Sequence, residues 1–207
     1  VLNWNGAIDT INCVKSLMDL NVSDYKIIIV DNCSMDNSYD TIKENLNSLY
    51  IADKSIIEVK YEDRNKYKTL ENDKIILIQS PQNNGYASGN NIGIENMKYV
   101  WVLNNDTEVD KEALTHLISK CDSDKSIGIC GSRLVYFADR EMQQGLGGVH
   151  NKWLCTTKNY EMGRLVSKKY DDEVISNDID YIIGASMFFS RECLETVGLM
   201  NEEYFLY

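Results

Sequence analysis

Apolar residues recur along this chain in two alternating periods. Val1-Leu2 reads as the end of a strand, and Ile8, Ile11, Val14, Leu17 and Met18 fall on one face of a helix. Lys26–Val30 is a β-branched run suited to a strand buried on both faces of a parallel sheet. Ser38 is placed to cap a second helix whose apolar face is Tyr39, Ile42, Leu46 and Leu49. Residues 50–73 are charged and irregular; they read as an insertion with a hairpin around Ser55–Tyr61. Lys74–Gln79 is a third strand, broken by Pro81 and Asn83-Asn84-Gly85. Tyr86–Met97 reads as helix and Tyr99–Leu103 as a fourth buried strand. Lys111–Cys121 is a helix with Leu114, Leu117 and Ile118 inward, and Ile127–Leu134 is a strand. This order implies a mostly parallel α/β sheet with helices on both faces.

The pattern changes after about residue 136. Residues 140–178 carry glycines, Trp153 and mixed charge without a clear period. Tyr181–Ser190 is again an apolar run, and Arg191–Val197 a short helix. Two regions follow: 1–136, with the insertion at 50–73, and a smaller α+β region at 137–207. Val1 inside a strand and the aromatic run Tyr204–Tyr207 make both ends look cut, so the second region is expected to continue.

Composition narrows the chemistry. A net charge of -11 argues against a nucleic-acid surface, which needs a basic footprint. An acidic chain that bound a phosphorylated ligand would need a cation or backbone donors. Six cysteines include no C-x-x-C pair and only two histidines accompany them, which argues against structural zinc and suits free thiols in a reducing cytoplasm. No apolar run reaches the length of a bilayer span and no signal peptide is visible.

Polar clusters gather where strands end. Asn3-Trp4-Asn5-Gly6 follows the first strand, Asp31–Asp36 the second, Asn83–Asn91 the third and Asn104-Asn105-Asp106-Thr107 the fourth. In open parallel sheets, ligands bind beyond these carboxyl ends. Each cluster has a plainer reading. Asp31 and Ser34 suit a helix cap, Gly85 and Gly89 suit turns, and Asp106 suits a cap for the helix near Lys111. Asn occurs 21 times, so Asn-rich loops are partly compositional. Taken together, Asp31 can accept from a uracil or thymine imide or from ribose hydroxyls. Asp106 can hold a hard divalent cation, which prefers oxygen ligands. The small residues Gly85, Ala87, Ser88 and Gly89 would let backbone approach a ligand. Trp4 either lies beside the ligand or closes the sheet edge. Trp153 either stacks on a sugar or lipid-linked acceptor or is a core residue.

The chain carries, in order, Val30-Asp31-Asn32-x-Ser34-x-Asp36-x-Ser38, Asn83-x-Gly85-Tyr86-Ala87-x-Gly89-Asn90-Asn91-x-Gly93-Ile94 and Leu103-Asn104-Asn105-Asp106-Thr107. Gly184-Ala185-Ser186-Met187 and Val197-Gly198-Leu199-Met200-Asn201-Glu202-x-Tyr204-Phe205-Leu206-Tyr207 complete the set. This ordered set resembles the family 2 glycosyltransferases, closest to their rhamnosyltransferase-like branch. The resemblance implies a GT-A fold, a UDP- or dTDP-sugar donor, Mg²⁺ or Mn²⁺, and inverting transfer to a glycan or lipid-linked glycan in surface polysaccharide synthesis. It places Asn3, Trp4, Asn5, Asp31, Ser34, Asn83, Gly85, Asn91, Asn104, Asn105 and Asp106 in the donor site, with Asp106 on the metal. Asp180, Gly184 and Glu202 fall on the acceptor side. Asn104 stands where the family has the first Asp of Asp-x-Asp, and Asn201 where it usually has Asp. The general base is expected just after Tyr207, so this chain alone is expected to bind donor without transferring it. The expected location is the cytoplasm, peripheral at the inner face of the membrane. Two rivals stand: a non-catalytic nucleotide-sugar-binding module, and a nucleotidyltransferase of similar architecture.

Overall fold

The computed structural model describes residues 1–49, 56–64, 75–94 and 97–205. Its centre is a parallel sheet in the order β1-β2-β4-β3, built from Leu2–Asn3, Ile27–Asp31, Ile75–Gln79 and Ile56–Val59. Alternate residues along each strand point to opposite faces, and the two faces are covered differently. Ile27, Ile29, Ile75 and Leu77 pack with α1 (Ala7–Met18), α2 (Ser38–Leu49) and α4 (Ala113–Ser123). Ile76 and Ile78 pack on the other side with Ile28, Val59 and Ile92 of α3 (Gly85–Gly93). Ile29, Ile76, Leu77 and Ile78 are fully buried; each contributes about 1.5–3 kcal/mol relative to exposure. Helices on both faces explain why these strands read as continuous apolar runs.

Several local expectations change. Ile8 is 66 % exposed, and the buried stripe of α1 is Thr10, Ile11, Cys13, Val14 and Leu17. Ser38 does not cap α2. It is the helix's first residue, its N–H is accepted by Asp36 Oδ1 at 2.9 Å, and its own hydroxyl is buried without a partner. The hairpin expected at Ser55–Tyr61 is instead β3, an edge strand parallel to β4. Most of the 50–73 insertion lies outside the described residues.

The strand β5 (Tyr99–Leu103) touches the parallel sheet through a single parallel bridge, Leu2 to Asn104. Its ladder is antiparallel, to β11 (Ser186–Ser190), which also pairs antiparallel with β6 (Ile129–Gly131). Residues from the far end of the chain thus lie between two strands of the first region. Phe188 of β11 is buried at the centre of the same core, stacked on Tyr99 with centroids 5.0 Å apart.

The stretch without sequence period folds into short antiparallel pieces. These are β7 (Leu134–Val135) with β8 (Gln143–Gly145), a hairpin of β9 (Gly148–Asn151) and β10 (Thr156–Asn159), then α5 (Asp172–Asp178) and α6 (Arg191–Val197). Gln143 is fully buried and Gly148 leaves room for the Tyr181 ring, where a Cβ would collide. Interior positions are filled here by polar and small residues, so apolar periodicity is weak.

The six thiols divide by environment. Burial pushes the Cys13 thiol up to about 11, and burial with the Cys121 contact pushes Cys130 up to about 12. Cys155 is exposed. A thiol-specific reagent at pH 8 is expected to label Cys155 rapidly and to leave Cys13 and Cys130 unlabelled until the chain is denatured, since only the thiolate reacts. Rapid native labelling of Cys13, read by peptide mass spectrometry, would contradict this packing.

Candidate functional site

Three adjacent parallel strands end in register. Asn3 lies beside Asp31, and Asp31 beside Gln79. Their side chains meet. Asp31 Oδ1 accepts from Asn3 Nδ2 at 2.7 Å and from the Ser34 hydroxyl at 2.5 Å. Oδ2 accepts from Ser34 N–H at 3.1 Å and from Gln79 Nε2 at 3.2 Å. A carboxylate has about four acceptor positions, so these four donors fill it. Asp31 is 0 % exposed. The sequence expectation that Asp31 offers a free acceptor to a ligand therefore changes in this arrangement: the carboxylate is the knot of the strand-end network. Gln79, last in its strand and exposed, was missed; a polar residue closing an apolar strand was its signal.

Asn3 is buried too. Its Oδ1 accepts from Thr10 Oγ1 at 2.8 Å and from Gly6 N–H at 3.3 Å, tying the first strand to α1. Asn105 turns to the same place, donating to Thr10 Oγ1 at 3.1 Å and Gly6 O at 3.3 Å. A Cβ on Gly6 would come within 2.6 Å of Asn105 Nδ2, so glycine makes this contact feasible. Asn5, with φ of 53°, accepts from Met35 N–H and donates its own N–H to the Ser34 hydroxyl. Trp4 is 54 % exposed at this edge.

A second knot holds the entry to α3. Asn83 Oδ1 accepts from Asn32 Nδ2 and from Gly85 N–H, both at 2.9 Å. The small residues of α3 serve packing. The space beside Gly89 holds Leu2 and Asn32, and Ala87 and Ser88 are buried. Gly85 has φ of +92°, and a Cβ there would strike the Phe205 carbonyl, which accepts Tyr86 N–H at 2.8 Å. Asn91 donates to Met200 O at 2.9 Å and Glu202 Oε1 at 2.8 Å, and accepts Met200 N–H at 3.1 Å. Gly85 and Asn91 together dock the 199–205 segment on α3. Gly85→Ala is expected to combine about 1–3 kcal/mol of backbone strain with loss of this docking. A melting temperature lower by several degrees and faster proteolysis within 199–205 would report it; unchanged proteolysis would refute the docking.

Beside these knots opens a cleft of about 1450 Å³. Asn104, Asp106, Glu108 and Asp110 line it from the turn after β5, Gly184 and Ala185 from the approach to β11, and Arg133, Arg140, Gln144 and Asn159 also line it. Asp106 is exposed at its wall. The Tyr86 hydroxyl bridges the walls, donating to Gly184 O at 2.9 Å with Asn104 Oδ1 at 3.2 Å. Burial pushes that phenol up to about 12, so it remains a proton donor at neutral pH. Glu108 is held by Arg140 at 3.3 Å. Asp180 lies away from the cleft lining, and its Oδ2 accepts His150 N–H at 2.8 Å. Glu202 is occupied by Asn91. Among the described residues no three His, Cys, Asp or Glu side chains converge as a cage for a metal. Asp106 suits a divalent cation that takes its remaining ligands from a bound phosphate and water. Tyr86, Thr10, Arg133 and Arg140 were not singled out from sequence.

Comparison with known proteins follows this geometry. The model of Glycosyl transferase family 2 matches residues 5–198. The chain is 26 % identical over 196 residues to the low-salt glycan biosynthesis hexosyltransferase Agl10 of Haloferax volcanii, covering 90 % of this chain and 59 % of that protein. Its fold is similar to the mannosyltransferase PcManGT from Pyrobaculum calidifontis, solved in complex with GDP-Man and Mn²⁺. The TM-score is 0.60 at 12 % identity, over 98 % of this chain and 46 % of that one. S. aureus TarS 1-349 gives 0.54 at 14 % identity, over 98 % and 49 %. This chain therefore spans roughly half to three fifths of the proteins it matches.

Proposed function

Because the chain belongs to Glycosyl transferase family 2 and has the GT-A fold, we propose that it is the donor-binding part of an inverting glycosyltransferase. In this reading it takes a UDP- or dTDP-sugar and its parent protein passes the sugar to a glycan or lipid-linked glycan. The observation that carries it is the coincidence of two features at one sheet edge. The strand-end network of Asn3, Asp31, Ser34 and Gln79 is closed and rigid, and beside it Asp106 presents an exposed carboxylate in a large cleft.

The division of labour follows. Asp31 acts by positioning: it fixes Ser34, Asn3 and Gln79, and the exposed Gln79 amide and Trp4 ring are left at the edge where a nucleobase would lie. Asn83 and Gly85 shape the adjoining turn. Asp106 would hold Mg²⁺ or Mn²⁺, which supplies positive charge against the diphosphate that an acidic chain lacks. Tyr86 keeps Asn104 and Gly184 at a fixed spacing across the cleft. Residues 137–207 form the acceptor side, with Arg140 from this region and Arg133 just before it lining the same cleft. Asp180 and Glu202 each already accept a bond from the chain, and neither is assigned as the general base. The rhamnosyltransferase-like placement rests on the ordered motifs from Asn83 to Asp106 and from Gly184 to Tyr204.

Calorimetry with UDP, dTDP and GDP, each with and without Mn²⁺, tests the reading. Metal-dependent binding of UDP or dTDP is expected. A preference for GDP would correct the donor, and no nucleotide binding at all would sink the proposal.

A further inference from the structure

The β9–β10 hairpin stands away from the body. Every residue from His150 to Lys158 is exposed, on both faces of the hairpin. Its tip carries Trp153 at 96 % exposure and Leu154 at 70 %. The tip is ordered by its own bonds. Asn151 Oδ1 accepts Trp153 N–H at 3.0 Å and Leu154 N–H at 3.1 Å, and Cys155, with φ of 50°, closes the turn.

The base is anchored. Gly148 exchanges backbone bonds with Asp180 and Tyr181, Asp180 accepts His150 N–H, and Asp178 accepts the Tyr160 hydroxyl at 2.6 Å. Asp178 and Asp180 thus sit at the base, and no acid lies between residues 149 and 160. From 149 to 170 the chain has five Lys or Arg and one Glu, against a whole-chain charge of -11. Glu161 is itself held by Lys168 and Arg164. Lys152 and Lys158 have no ion-pair partner among the described residues.

We propose that this hairpin tip docks the protein on an anionic lipid surface. A tryptophan has an apolar body and a polar N–H edge, which suits the interface between headgroups and acyl chains. Leu154 beside it adds apolar area, and Lys152 and Lys158 face the headgroup charge. A tip whose backbone is already fixed lowers the ordering cost on binding. The placement also orients the cleft. Asn159, at the foot of β10, lines the cleft wall, and four strand steps lead from it to Cys155 of the tip loop. At strand rise that is about 13 Å, so a bilayer at the tip lies close above the cleft. The inference is independent of donor chemistry, since none of the tip residues touches the strand-end network or Asp106.

Co-sedimentation with vesicles of mixed phosphatidylglycerol and phosphatidylcholine, against pure phosphatidylcholine, tests it with the 207-residue chain. Binding to the anionic vesicles alone is expected, with a blue shift of tryptophan emission that disappears in Trp153→Ser. Trp153→Ser with Leu154→Ser should weaken binding at least tenfold, about what burying one such side chain supplies. Lys152→Gln with Lys158→Gln should weaken it roughly 30-fold, at about 1 kcal/mol per lysine. Both pairs should melt as wild type, because the tip packs against nothing. No binding to anionic vesicles, or binding unaltered in both pairs, overturns the proposal. A loss of self-association in the variants without loss of vesicle binding would overturn it in favour of a second copy of the chain. Nucleotide calorimetry on the same variants should be unchanged; nucleotide binding without vesicle binding, or the reverse, shows which reading has failed.

Discussion

Asp106→Ala is expected to abolish the effect of Mn²⁺ on nucleotide affinity while leaving the fold intact. Its carboxylate is exposed in the cleft and accepts no hydrogen bond among the described residues, so its removal leaves no buried group there unpaired. What is lost is a hard oxygen ligand at the place where the diphosphate would lie. In a chain of net charge -11, a nucleotide diphosphate is repelled unless a cation intervenes. Metal charge compensation is worth several kcal/mol, so affinity in the presence of Mn²⁺ should fall on the order of 100-fold or more. Calorimetry with and without Mn²⁺ reads both quantities, and a thermal melt within a degree or two of wild type should accompany the loss. Glu108 differs in facing Arg140 in an exposed pair at 3.3 Å. Metal dependence retained in Asp106→Ala would remove this residue from the site.

Asp31→Ala should behave in the opposite way, as a stability defect before a binding defect. The substitution strips the acceptor from Asn3 Nδ2, the Ser34 hydroxyl, Ser34 N–H and Gln79 Nε2 at a fully buried position. Of these donors only Asn3 Nδ2 is buried, and it keeps the Ser34 hydroxyl at 3.1 Å; Ser34 is half-buried and Gln79 exposed. The loss is therefore about 1–3 kcal/mol. For a chain of this size that is a fall in melting temperature of roughly 2–12 °C. Asp31→Asn should fail nearly as badly, because an amide turns two donors toward donors already present. Urea denaturation measures the loss. The loss should be the same with and without Mn²⁺, which separates this residue from Asp106. A midpoint equal to wild type would show that Asp31 is not the knot of the strand ends.

These two aspartates looked alike in the sequence. Asp31 closes one buried strand and Asp106 follows another by three residues, and each lies in an Asn-containing loop. The motif order from Asp31 through Asn83 to Asp106 was sufficient to identify the sheet edge and the family, because the carboxyl ends of parallel strands are fixed by the strand pattern itself. Their opposite environments were not legible. Saturation of Asp31 depends on Gln79, 48 residues away in the chain, being its neighbour in the sheet. The inward turn of Asn105 depends on Gly6 and Thr10 of α1. Both are consequences of register and helix packing, which no local window contains. The docking roles of Gly85 and Asn91 likewise needed the 199–205 segment in place.

By itself the sequence determined the alternation of strands and helices in the first half, because a strand covered on both faces must be apolar throughout and a helix covered on one face must repeat at its own period. It also pointed to the polar loops that meet at the carboxyl ends of the parallel strands. Only the tertiary structure decided that β5 is joined to the parallel sheet by one bridge and completed by antiparallel β11. It alone decided that Asp31 is a buried tie while Asp106 is open, and that Trp153 projects on a hairpin instead of entering the core. The reason is common to all three. Side-chain identity fixes what a residue can bond to, whereas burial and partner are set by segments far away in the chain, and their contacts exist only once the chain has folded.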